Sequence, residues 1–133
     1  MTGETPVPPV GEENASAFTT FLCYNIMQKE ATYMVKHVIL WKLKDEVADK
    51  AAVRRGIKEG LEGLKGKIPG LVDIVVRIEG LASSNADAML DTTFETEAAL
   101  KGYAVHPAHV AVANEKVRPF TQTRLCLDYE LHA

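Results

Sequence analysis

The stretch Lys101 to Ala113, KGYAVHPAHVAVA, holds Tyr103, His106 and His109 in a chain that has only four histidines. Pro107 suits the first turn of a helix, where its missing N–H costs nothing, so His106 falls at the helix boundary and His109 in the opening turn. The positive end of the helix backbone disfavours a charged imidazole there. A neutral histidine beside a tyrosine hydroxyl is an acid/base pair wherever the fold sets both around one cavity. The same residues also fit a plain helix start with partly exposed polar side chains. Of the two histidines, His106 is expected to shape the helix start and His109 to carry any chemistry. The i, i+3 spacing of the pair suits a metal ion, but no carboxylate or cysteine lies close by in sequence to complete a site, so no metal is expected.

A third histidine sits in a strand pattern. In VKHVILWKL, Val35, His37, Ile39, Trp41 and Leu43 alternate with Lys36, Val38, Leu40 and Lys42, which predicts one mostly apolar face and one mixed face. His37 belongs to the apolar row and points either into the core or into a pocket within it. Beyond Lys44 a helical pattern runs to about Gly66, with Val53, Ile57, Leu61 and Leu64 at spacings of three and four, and Pro69–Gly70 stops it. Gly60 lies on the buried stripe, at a cost of roughly 0.5–1 kcal/mol relative to alanine. Its missing side chain leaves either a close helix–sheet contact or a ligand volume above the sheet.

Composition bounds the classes of function. The 133 residues are 47% hydrophobic, enough for one domain with a real core. The whole formal charge of −3 resides in residues 1–33, where Glu4, Glu12, Glu13 and Glu30 face Lys29 alone. Residues 34–133 balance acid against base and offer no electrostatic case for nucleic acid or an anionic membrane. Cys23 and Cys126 form no framework and read as reduced thiols of a cytoplasmic protein. Residues 1–16 are rich in proline, glycine and glutamate and are expected to be flexible. Ala17 to Met27 is apolar but too short to span a bilayer. It either docks on the body or lies upstream of a true start at Met34.

A second strand is expected over Leu71–Glu79 and a third over about Asp87–Phe94. Thr96 can cap a short helix through Tyr103, a second helical piece runs from Pro107 to Arg118, and a last strand spans Thr121–Leu131. The order is β-α-β-β-α-β, the ferredoxin-like α+β pattern of an antiparallel sheet with both helices on one face. Val38, Leu40 and Val75 make the other face too apolar for a monomer, so a homodimer through that face is expected.

Three stretches together, MVKHVILWKLKDE, FETEAALKGYAVHPAHVAVA and LCLDYEL, resemble the stress-responsive α/β-barrel (Dabb) family over nearly all of residues 34–133. The resemblance implies two sheets facing across a dimer to form an α/β barrel, with a small-molecule pocket between each sheet and its own helices. Most members have no established reaction, and a ligand-binding or stress-associated role is one implication. The other comes from a plant polyketide cyclase of the family, which closes a ring by aldol chemistry without cofactor or metal. On that match Tyr103 would polarise the oxygen of a small, largely apolar carbonyl ligand and His109 would act as general base. His37 would line the pocket with Trp41, Gly60 and Ala88. Ala88 stands where the cyclase has a pocket histidine, and no counterpart to its helix tyrosine occurs around Gly60 or Leu61.

Overall fold

The computed structural model describes residues 33–132; the readings made above for residues 1–32 lie outside them. Strand β1 (Met34–Leu43) is followed by helix α1 (Lys50–Glu62), then β2 (Leu71–Arg77), β3 (Ala88–Phe94), helices α2 (Glu97–Val105) and α3 (Pro107–Val112), and β4 (Thr121–Leu131). Four antiparallel strands lie in the order β2-β3-β1-β4. This is the β-α-β-β-α-β arrangement, with β1 at the centre. Asp49 starts α1 by accepting a hydrogen bond from the Ala52 amide at 3.0 Å, and Thr96 does the same for α2 with Ala99.

Strand alternation divides the sheet into two unlike faces. The inner row of β1, from Val35 through His37, Ile39 and Trp41 to Leu43, is buried with Leu90 and Phe94 of β3 and with Ile57 and Leu61 of α1. Thr92, fully buried among them, donates to the His37 carbonyl at 2.6 Å. The outer row pairs Val38 with Leu127, Leu40 with Leu125 and Met34 with Leu131. Leu125 and Leu127 are 62% and 65% exposed, so the apolar row of β4 faces outward. Its polar row, Arg124, Cys126 and Asp128, shares the inner face with His37.

Two expected patterns shift locally. Strict alternation over the expected strand Leu71–Glu79 sets Val72 on one face with Ile74 and Val76, but the register slips between Leu71 and Asp73, leaving Val72 exposed while Leu71 packs against the core. The helix expected over Pro107–Arg118 ends at Val112 and continues as a wide π-type turn, Ala113–Val117, and a single 3₁₀ turn, Arg118–Phe120. The free edge of β2 is held from the side. The Val76 amide donates to Glu62 Oε2 at 2.9 Å, and Lys58 Nζ donates to the Val76 carbonyl and to the same carboxylate, each at 2.8 Å. Partial burial alone would raise the Glu62 pKa, but these bonds outweigh it and hold the carboxyl below its ordinary 4.5.

Gly70, at the entry to β2, has φ +79°, and a Cβ there would stand 2.4 Å from the Ala99 Cβ. Gly66 has φ +84° with open space around it. Gly66→Ala should therefore cost about 1 kcal/mol, the conformational penalty alone. Gly70→Ala should cost about 2–4 kcal/mol because rigid atoms must also move apart. Urea unfolding of the two variants measures the difference, and equal losses would show that the Gly70–Ala99 approach is immaterial.

Candidate functional site

The helix break at His106–Pro107 decides where Tyr103 and His109 go. In a continuous helix, residues six apart lie about 240° round the axis and about 9 Å along it, too far to meet. Here the chain leaves helical geometry at His106 (φ −67°, ψ 132°), whose Nδ1 accepts from the Ala108 amide at 3.1 Å and starts α3. Proline imposes this extended backbone on the residue before it. The turn brings the rings of Tyr103 and His109 to 4.1 Å between centroids, tilted by 35°. Phe94 flanks Tyr103 at 5.0 Å and His37 stands 6.1 Å away on β1.

Tyr103 and His109 line one cavity of about 180 Å³ between the inner sheet face and the helices, together with His37, Trp41, Arg118 and Arg124. Tyr103 is 1% exposed. Its hydroxyl and His109 Nδ1 are both buried with no hydrogen-bond partner among the described residues. Burial raises the Tyr103 pKa, opposed weakly by Arg124, so the phenol keeps its proton. Burial likewise lowers the His109 pKa below its ordinary 6.5. The nearby Ala104 carbonyl opposes that shift, and the positive charges of Arg118 and Arg124 add to it. The pair is thus a neutral donor beside a neutral base.

His37 has its own partners. Its Nδ1 lies 2.5 Å from Asp128 Oδ1, with Cys126 Sγ 3.7 Å from the same nitrogen. These groups open on an adjoining cleft of about 630 Å³ between α2 and β4, which shares His37, Leu100, Ala104 and Arg124 with the cavity. Sequence reasoning passed over Arg118, Arg124, Cys126 and Asp128. The signal was the polar row of β4, whose direction becomes clear only from its pairing with β1.

Of the expected pocket residues, Tyr103, His109, His37 and Trp41 come together around the cavity. Gly60 does not. A Cβ there would meet Val112 Cγ1 at 2.9 Å and Lys116 Cγ at 3.4 Å, so the residue serves a tight approach of α1 to α3 and the turn after it. The earlier alternatives of a helix–sheet contact or a ligand volume are both replaced by this helix–helix contact. Ala88 is also outside the cavity lining; it is buried in the core opposite Trp41.

Comparison with known proteins agrees with the fold. Olivetolic acid cyclase from Cannabis sativa is 28% identical over 98 residues, spanning 71% of this chain and 94% of the cyclase. A dimeric ferredoxin-like protein of unknown function from Bacteroides fragilis shares 34% identity at a TM-score of 0.68, over 74% of this chain and 96% of its own. The hydroxynitrile lyase of Passiflora edulis is 14% identical at a TM-score of 0.59, over 76% of this chain and 95% of its own, a likeness of fold alone. The family model for the stress-responsive A/B barrel domain matches residues 35–131, and the chain belongs to that family.

Proposed function

We propose that this protein is a proton-transfer catalyst for a small, largely apolar carbonyl compound, with Tyr103 as oxygen-stabilising donor and His109 as general base. The observation that carries this reading is the pair of unpartnered buried polar atoms, Tyr103 Oη and His109 Nδ1, on residues that line one cavity. Leaving such groups unsatisfied costs about 1–3 kcal/mol each, and a bound carbonyl compound relieves that cost. His109 takes a proton from the carbon next to the carbonyl. The C–H electron pair moves into an enolate whose oxygen accepts the Tyr103 hydroxyl hydrogen bond. Return of the proton at another carbon gives isomerisation, and attack on a second carbonyl of the same molecule gives ring closure. The likeness to a cyclase supports the second outcome.

The first step can be measured without knowing the natural substrate. In deuterated water, the protein should accelerate exchange of the acidic C–H protons of small β-dicarbonyl compounds, followed by NMR. His109→Ala should lower the rate about 10²–10⁴-fold and Tyr103→Phe about 10²–10³-fold, with melting temperature and assembly retained. Wild-type exchange no faster than buffer across the panel would refute the catalytic reading and leave ligand storage.

The lowered His109 pKa fixes a dependence of stability on pH. The unfolded imidazole titrates near 6.5 and the folded one lower, so between those values the unfolded chain holds more protons and acid favours it. The His109 contribution is complete above 6.5 and is lost as pH falls through the folded value. The lowered carboxyls of Glu62 and Asp73 act below their ordinary 4.5 and 3.8, outside this window. Urea unfolding of His109→Gln should show a flatter stability profile just below pH 6.5 than wild type. Parallel profiles would show that burial does not perturb the imidazole.

Assembly through the outer sheet face belongs to the same reading. Leu125, Leu127, Tyr129 and Leu131 form an exposed apolar row beside Val38 and Leu40, and the Bacteroides fragilis neighbour is a dimer. A second copy of the chain covers this row. Leu127→Glu should convert the dimer to monomer in sedimentation equilibrium; a mass unchanged by that substitution, or a wild-type monomer, would place the interface elsewhere.

A further inference from the structure

Three donor groups of different chemistry converge on the inner sheet face at the mouth of the larger cleft. Cys126 and Asp128 are two residues apart on β4 and leave the same face of the strand, while His37 stands opposite Asp128 on β1. His37 Nδ1 is 2.5 Å from Asp128 Oδ1 and 3.7 Å from Cys126 Sγ, and the sulfur is 3.4 Å from the same carboxylate oxygen. All three donor atoms fall within 4.8 Å of one another. A tetrahedral zinc ion, with bonds of about 2.0–2.3 Å, holds its donors roughly 3.3–3.7 Å apart. Two edges of the triangle already have that size. The third must open by about 1 Å to reach it, and the half-exposed Asp128 side chain is free to rotate by that amount.

We propose that His37, Cys126 and Asp128 form a zinc site whose fourth position opens into the cleft between α2 and β4. One nitrogen, one sulfur and one carboxylate oxygen suit zinc and exclude magnesium and calcium, which require oxygen ligands. Three protein ligands with an open fourth position is also the pattern of zinc sites that take up water or an exogenous ligand. On binding, Cys126 loses its thiol proton to solvent and its sulfur electron pair bonds the metal. His37 binds through Nδ1 and keeps its single proton on Nε2, and Asp128 binds as the carboxylate. Thiolate and carboxylate together neutralise the two charges of the ion.

Glu97 and Lys101 from α2 and Arg124 and Glu130 from β4 line the same cleft and balance in charge.

Titration of the chelator-treated full chain with cobalt(II), which occupies zinc sites and reports its ligands by absorption, provides the test. The expected result is a sulfur-to-cobalt charge-transfer band that saturates at one equivalent per chain and is displaced by zinc. Cys126→Ser should abolish the band. Asp128→Asn should weaken binding at least as much as loss of an outer-shell partner does, about 10–100-fold. Cys23→Ser and His109→Ala should leave the band intact, which separates this site from the Cys23 thiol and from the acid–base pair. The proposal is overturned by a wild-type chain that gives no charge-transfer band, or by a band that survives Cys126→Ser or disappears with Cys23→Ser. Cys126 lies exposed on an edge strand, so that substitution tests binding without threatening the core.

Discussion

The fold brings Tyr103 and His109 together through a single local constraint, the inability of the residue before Pro107 to remain helical. Because His106 is forced into extended backbone, the helical segment folds on itself and Tyr103 and His109 come face to face. Everything else at the cavity supports that encounter. Phe94 packs against the tyrosine ring, α2 buries Leu100 beside it, and His106 accepts from the Ala108 amide at the start of α3. A longer, unbroken helix of the same composition would have buried its apolar stripe equally well and left the two polar groups apart.

A second constraint is the parity of β4. The usual expectation is that the apolar row of a strand faces the core, and on β1, β3 and the middle of β2 it does. On β4 the assignment inverts, with leucines outward and Arg124, Cys126 and Asp128 inward. The inversion is coherent once the outer face is itself treated as an interior shared with a second copy. It leaves the polar row free to furnish the wall of a cleft instead of filling a core, and that is why ionisable groups gather beside His37.

Much of this was legible before any coordinates. The bounds of β4, the cap at Thr96, proline in the first turn of α3 and the inward row of β1 all follow from local chemistry that neighbours do not alter. What could not be read depends on which strands lie side by side. Asp128 and His37 are 91 residues apart, and nothing in either segment announces the other. Gly60 shows the same limit: its spacing marked a missing side chain, but the partner occupying that space, Val112, comes from an element beyond two further strands. The slip at Val72 and the wide turn after Val112 likewise reflect tertiary fitting that periodicity does not encode.

The side-chain clasp on β2 has a consequence for growth of the sheet. An antiparallel sheet has two borders, and each unpaired backbone amide or carbonyl there invites another strand. With the Val76 amide and carbonyl held by Glu62 and Lys58, an incoming strand cannot pair with this residue without first breaking a charged pair. That part of the border is closed to edge-to-edge growth of the sheet into a ribbon.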